Sequence, residues 1–257
     1  MNDFFGICDD TDSAPTSGGS RMPLIGDTAP EFRAETTNGT LEFPQDYAGK
    51  WVILFSHPSD FTPVCTSEFM AFQSQIDDFK ALNTELVGLS VGTLTSHLAW
   101  LNAIRDINFN GWENLSITFP VIDDATMRVA KLYGMIHPNA SDTHTVRAVF
   151  IIDPTATIRT ILYYPASTGR NFSEIMRILV ALQTTDAFKV STPADWVPGD
   201  EVLIASPTTI NGVRDIMKRG PRGADVHAWF LTSKELSERT IMEKLHRVPQ
   251  SQSRKKK

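Results

Sequence analysis

Residues 57 to 65 read HPSDFTPVC and follow directly on the apolar run WVILFS, residues 51 to 56. Threonine is a good helix N-cap, and proline is favoured at the first helical position because its missing N–H is not needed there. Thr62-Pro63 therefore predicts a helix start, which puts Cys65 at the third helical position. Unpaired backbone N–H groups and the positive end of the helix dipole favour an anion there. A thiol so placed should ionise more readily than a free one, whose pKa is about 8.5. The Thr62 hydroxyl, three residues back, can point at the same small volume as the sulfur and orient a thiolate, a substrate oxygen or both. Pro58 and Pro63 stiffen the approach. A buried cysteine can also be inert packing, but such a residue needs no helix entrance, so position favours a reactive thiolate.

The neighbouring sequence supplies the elements that would hold this stretch. WVILFS is a short, continuous apolar run and reads as a buried strand. Residues 66 to 82 keep a helical period, with Phe69, Phe72, Ile76, Phe79 and Leu82 on one stripe. ELVGLSV (85 to 91) is a second buried strand. SHLAWLNAI predicts a helix with Leu98, Leu101 and Ile104 facing inward. ITFPVIDD gives a strand, and ATMRVAKLYGM a helix that Gly134 can stop. VRAVFIID and TIRTILYYP flank PTA as a β-hairpin. NFSEIMRILVALQTTDAF is a long helix with Phe172, Ile175, Ile178, Leu179 and Leu182 on its apolar face. Buried strands alternating with helices imply an α/β sandwich around a mixed sheet.

Three segments are expected: a polar, flexible N-terminal extension (1–21), a main domain (22–189) and a C-terminal extension (190–257) ending in the basic tail Arg254–Lys257. The C-terminal extension is rich in proline and turn residues. Its stretch GVRDIMKRGPRGADVHAWF reads as weakly ordered, an appendage suited to packing on a neighbouring subunit.

The 257 residues are 41% hydrophobic and 21% charged, with a formal net charge of -6, which argues against a nucleic-acid partner. No apolar stretch approaches the roughly 20 residues needed to cross a bilayer. Acids follow straight after the short apolar start, so no secretory signal is expected. The two cysteines, Cys8 and Cys65, make neither a disulfide framework nor a zinc knuckle, and a reducing, cytoplasmic setting fits them best. A metal role for His57 with Cys65 is disfavoured, because no further ligand at zinc spacing accompanies them.

PSDFTPVC matches P-x-x-x-T-x-x-C, the peroxiredoxin signature, and FSHPSDFTPVCTSE resembles the one-cysteine branch of that family, archaeal-like members with a long C-terminal extension among them. GDTAPEF, HTVRAVFIID, LYYPASTGRN and PADW recur in family order, so the resemblance covers about residues 22 to 200. It implies a thioredoxin-like α/β fold and a thiol-dependent peroxidase that reduces hydrogen peroxide and small organic hydroperoxides through a cysteine sulfenic acid, with no cofactor. Cys65 would be the peroxidatic nucleophile. Thr62 would hydrogen-bond the peroxide, Pro58 would shield the pocket, and Arg147 would stabilise the thiolate and the oxygen–oxygen transition state. Glu68, one turn beyond Cys65, would hold an arginine. Arg170 resembles a second arginine near the pocket, and His57 matches a histidine typical of the branch. The resemblance also implies an external thiol reductant, thioredoxin or glutathione, and a homodimer or a decamer of five dimers.

Two departures matter. Some one-cysteine members carry a phospholipase built on a serine and an upstream histidine; here Lys50 and Pro44 stand at those positions, so no such activity is expected. Members with the long extension often hold a resolving cysteine in it, whereas this chain has no cysteine after Cys65. Cys8 is the only internal candidate. A disulfide reductase is disfavoured because TPVCTSE lacks a C-x-x-C pair. A peroxide sensor or an oxidation-switched chaperone using Cys65 is the alternative from another class.

Overall fold

The computed structural model describes residues 21–246; most of the N-terminal extension, with Cys8, and the basic tail lie outside the described residues. The chain runs β1 (Phe32–Thr36), β2 (Gly39–Phe43), β3 (Trp51–Ser56), α1 (Pro63–Ser74), α2 (Ile76–Ala81), β4 (Thr84–Ser90), α3 (Leu94–Ile104), β5 (Val121–Asp123), α4 (Arg128–Leu132), β6 (Arg147–Ile152), β7 (Ile158–Tyr164) and α5 (Phe172–Phe188). These strands form one seven-stranded sheet in the order β2-β1-β5-β4-β3-β6-β7. β3, β4 and β5 run parallel, while β6 lies antiparallel to β3 and β7 antiparallel to β6. This is the mixed α/β sandwich that the strand and helix alternation implies.

β3 shows why it takes the centre. All six of its residues are buried, because both faces of the sheet are covered. Trp51, Ile53 and Phe55 point into a core built with Phe69, Phe72, Phe79, Trp100, Ile175 and Leu179. Val52 and Leu54 point the other way, onto Phe32, Phe43, Val129 and Tyr133. The period-two alternation of a strand thus feeds two separate cores.

Two helical expectations need correction. The periodic run from 66 to 82 is not one helix: Gln75 leaves helical geometry (φ -108°, ψ 11°) and separates α1 from α2. Phe69, Phe72, Phe79 and Leu82 are still buried on both sides of the break, so the stripe survives the kink. In α3 the inward residues are His97, Trp100 and Ile104, whereas Leu98 is 49% exposed. Ile104 is buried as expected and Leu101 packs half-buried against the core, so only Leu98 departs from the expected face; the Thr93 side chain caps the helix by accepting from the Ser96 N–H.

The C-terminal extension is more ordered than its composition implies. After α5 come β8 (Val202–Leu203), α6 (Ile210–Arg219), β9 (Asp225–Ala228), β10 (Leu231–Lys234) and α7 (Glu238–Leu245). The strands pair as a second, antiparallel sheet in the order β8-β10-β9. Side-chain caps at Thr209 and Ser237 start its two helices. Trp196, Val202, Ile241 and Leu245 are buried against the same core as α5. The outer part is different: α6 buries none of its residues, and Trp229, Phe230 and Leu231 are largely exposed. No helix among the described residues is long and apolar enough to cross a membrane.

Candidate active site

β3 ends at Ser56, and the chain reaches α1 through the loop from His57 to Thr62. Thr62 is the extended N-cap and Pro63 the first helical residue, so Cys65 sits in the first turn as the sequence predicts. Phe61, immediately before the cap, has a left-handed backbone (φ 54°), a conformation that a bulky residue adopts only when its surroundings fix it. The Thr62 hydroxyl donates to the Ser59 carbonyl (2.8 Å) and makes no side-chain cap bond to the helix. Its oxygen therefore keeps lone-pair capacity at the helix mouth. Pro58 lies half-buried in the same loop.

The Cys65 side chain is fully buried. Arg147, the first residue of β6, donates from Nη1 to Cys65 Sγ (3.3 Å) and to Glu68 Oε2 (2.8 Å). The other side of its guanidinium is fixed on the Ala166 carbonyl through Nε (3.1 Å) and Nη2 (2.6 Å). Glu68 is 2% exposed and also binds Arg170, accepting from its backbone N–H (2.9 Å) and from Nη2 (3.1 Å). The Nη2 of Arg170 also reaches the Ser56 carbonyl. Its charged group lies 5.2 Å from the ring centre of Phe55 and 6.0 Å from that of Phe72, a placement that attracts a cation to the ring faces. Burial lowers the Arg170 pKa, with the Glu68 charge opposing.

The pocket therefore holds two guanidiniums and one carboxylate. With all three ionised, one positive charge is left over, and the sulfur is the group in contact that can balance it as a thiolate. Arginine suits this place because its fork can hold Glu68, Ala166 and the sulfur at once.

His57 is fully buried and faces a second cluster. Its Nε2 lies 2.8 Å from Asp60 Oδ1, while Asp60 Oδ2 meets His97 Nδ1 (2.8 Å) and accepts from Ser96 Oγ (2.7 Å). His97 Nε2 in turn faces the Ile122 carbonyl (3.1 Å). Burial lowers the His57 pKa from 6.5 to about 4. For Asp60, burial alone would raise the carboxyl, but hydrogen bonds from His57, His97 and Ser96 outweigh it and hold the pKa well below the usual range. His57, Asp60 and His97 bring three ligand-type atoms within 4.8 Å of one another. Both Asp60 oxygens, both His97 nitrogens and His57 Nε2 are engaged in hydrogen bonds, while His57 Nδ1 is buried without a partner.

The structure thus brings together Cys65, Arg147, Glu68 and Arg170, with Thr62 and Pro58 on the adjoining loop and His57 at the strand end. Cys8 lies outside the described residues. Sequence reading missed Asp60, Ser96, His97 and the Ala166 carbonyl.

Two family models match the chain: the AhpC/TSA family over residues 25–161 and the C-terminal domain of 1-Cys peroxiredoxin over residues 181–217. A peroxiredoxin of Methanosarcina mazei is 57% identical over 215 residues, covering 83% of this chain and 98% of the relative. One from Aquifex aeolicus is 45% identical over 225 residues, covering 84% and 98%. Among solved structures, the yeast mitochondrial 1-Cys peroxiredoxin, studied for thiol resolution through the glutathione and thioredoxin systems, is 38% identical with a TM-score of 0.72 and covers 84% of this chain and all of that one. Peroxiredoxin 6 of Arenicola marina is 32% identical with a TM-score of 0.73, covering 83% and 99%.

Proposed function

The chain belongs to the peroxiredoxin family and is a thiol-dependent peroxidase, and from that premise we propose that Cys65 is the nucleophile that peroxide oxidises. The Cys65 thiolate attacks the nearer peroxide oxygen, a sulfur–oxygen bond forms as the oxygen–oxygen bond breaks, and the departing alkoxide takes a proton to leave as alcohol or water. Sulfur loses two electrons and becomes a sulfenic acid. A first equivalent of external thiol displaces water from it to give a mixed disulfide, and a second releases the reduced cysteine.

The observation that carries this reading is the Arg147 contact. One guanidinium touches Cys65 Sγ while Glu68 and the Ala166 carbonyl hold it still. A cation fixed before the reaction favours the thiolate, and it accommodates charge as that charge moves onto peroxide oxygen. Thr62 supplies a hydroxyl at the helix mouth to orient the peroxide, and Pro58 limits the room for water. Glu68 and Arg170 hold the arginine assembly. We assign hydrogen peroxide and small organic hydroperoxides as substrates, thioredoxin or glutathione as the reductant class, and a reducing, cytoplasmic setting. The exposed Trp229, Phe230 and Leu231 support assembly as a homodimer or a ring of five dimers.

One equivalent of hydrogen peroxide, followed by mass spectrometry with a sulfenic-acid trap, tests the assignment. The trap should label Cys65 and nothing else, and Cys65→Ser should remove both the label and peroxide consumption. Labelling elsewhere, or undiminished consumption by Cys65→Ser, would overturn it. Steady consumption with a reductant panel identifies the donor; a single stoichiometric oxidation with every reductant would mark a sensor instead.

A further inference from the structure

Of the three ions in the pocket, Arg170 is the most deeply buried and the one with donors to spare. Its side chain is wholly out of water. Nη2 reaches the Ser56 carbonyl and Glu68 Oε2, but Nε and Nη1 are buried with no hydrogen-bond partner. Donors left in that state cost stability, more so on a charged group. Something else must offset the cost. The guanidinium carbon stands over the Phe55 ring, 5.2 Å from its centre, and 6.0 Å from the centre of the Phe72 ring. An aromatic face is the negative side of the ring quadrupole, and it attracts a cation without accepting a directed hydrogen bond.

The two rings are themselves fixed. They stack at 4.2 Å with 28° between their planes. Phe172, two residues after Arg170, meets Phe72 almost at right angles (4.6 Å, 82°). Gly88 is the partner of Phe55 across the β3–β4 ladder, and a Cβ placed there would lie 3.3 Å from Phe55 Cζ. β4 thus gives up a side chain, a loss in a strand interior, where the ring needs room. Beyond the rings, Arg170 holds Glu68 through its backbone N–H and Nη2. Glu68 accepts in turn from Arg147 Nη1, the same nitrogen that donates to Cys65 Sγ. Were Arg170 to draw back, Glu68 would pair with Arg147 alone, and the surplus positive charge beside the sulfur would be cancelled. The charged and titratable groups bearing on Arg170 are Glu68, Arg147, Cys65 and Tyr164.

We propose that Phe55 and Phe72 are positioning residues for the reaction: their ring faces hold the buried Arg170 charge in place of hydrogen-bond acceptors, and Arg170, through Glu68, keeps the Arg147 charge available to Cys65. The inference rests on Cys65 being the peroxidatic residue and deepens that reading. The rings act only through Arg170. Their contribution is electrostatic, so it follows the negative charge density of the ring face, and shape alone does not supply it.

Fluorinated phenylalanines separate charge from shape, because fluorine drains the ring face and leaves its size nearly unchanged. The test uses the whole chain with mono-, di- or trifluorinated phenylalanine at one position at a time. At Phe55 the rate constant with hydrogen peroxide should fall with each added fluorine, ending about three- to tenfold below the unaltered protein, the scale of one desolvated cation–ring contact. At Phe72, whose ring lies farther from the charge, the slope should be shallower. The pH profile of Cys65 alkylation by iodoacetamide should move to higher pH in the same order. Phe79 belongs to the same core, with its ring centre 6.1 Å from that of Phe72, and fluorine there should change neither readout. A flat response at Phe55, or an equal slope at Phe79, would overturn the proposal. Denaturant unfolding checks that each chain is folded, and the monofluorinated chain keeps the test open should the trifluorinated one fail to fold. Sulfenic-acid trapping at Cys65 in the unaltered protein is read separately, so failure of the nucleophile assignment and failure of this one are distinguishable.

Discussion

The pocket around Cys65 and the outer part of the C-terminal unit solve opposite problems. In the pocket, charged side chains are taken almost wholly out of water, and each is tied to partners within the same chain. In α6 and the turn between β9 and β10, apolar side chains such as Ile210, Met217 and Phe230 stay in water. The charged groups of the pocket thus find partners within the chain, with Arg170 Nε and Nη1 left over, whereas the outer face of the C-terminal unit keeps apolar side chains exposed. The seam between them is α7, whose Ile241 and Leu245 are buried in the core shared with α5. Buried charged side chains cluster where strands end and helices begin, and exposed apolar side chains gather in the late segment.

The largest effect expected from this contrast is at Arg147. Arg147→Ala should slow Cys65 oxidation by roughly 10²- to 10³-fold, the scale for losing one fixed donor at a developing charge, measured as the second-order rate constant with hydrogen peroxide. A change below threefold would remove the arginine from the mechanism. Glu68→Gln leaves two buried guanidiniums facing one another without their carboxylate, and breaking such a pair costs about 3–5 kcal/mol. Denaturant unfolding should report that loss, together with a slower reaction.

Acid should act on the same region. His57 is neutral in the folded protein down to about pH 4, while an unfolded histidine takes up its proton near 6.5. Between those values the unfolded chain binds more protons, so stability falls as the pH drops through that window, by about 3 kcal/mol in all. Asp60 adds a loss of the same sign below the ordinary aspartate range, because its folded pKa is depressed. A melting temperature that stayed flat from pH 6.5 to 4 would contradict the buried, neutral His57.

On the other side of the comparison, Ile241→Ala should cost about 2–4 kcal/mol by opening a cavity in the seam and leave the oxidation rate within twofold. If it slowed the reaction as much as Arg147→Ala, the two regions would not be separable. Met217→Ala, on the exposed face of α6, should change stability by no more than about 0.5 kcal/mol. Its effect, if any, should be on sedimentation behaviour.

The legible parts of the molecule were those where one local rule decides the outcome. The Thr62-Pro63 start, the position of Cys65 and the apolar strands could be read from adjacent residues. Glu68 was legible as one turn from Cys65, but its buried bonds to both arginines depend on β6 and the segment before α5, far away in sequence. In α3 the expected Ile104 is buried and Leu101 half-buried, but Leu98 is exposed while the polar His97 turns inward, which an apolar pattern does not register. The break at Gln75 left no trace, since the 3-4-3 spacing of Phe69, Phe72, Ile76 and Phe79 suits a straight helix equally well. The C-terminal sheet was missed because its strands are only two to four residues long, too short for periodicity to register.

Oxidation upsets the charge inventory of the pocket. On the proposed mechanism the sulfenic acid is neutral, so its formation would remove the negative charge that a thiolate supplies beside the buried Arg147 guanidinium. Oxidation state and pocket charge are in this way, on the proposed mechanism, two readings of one electrostatic variable.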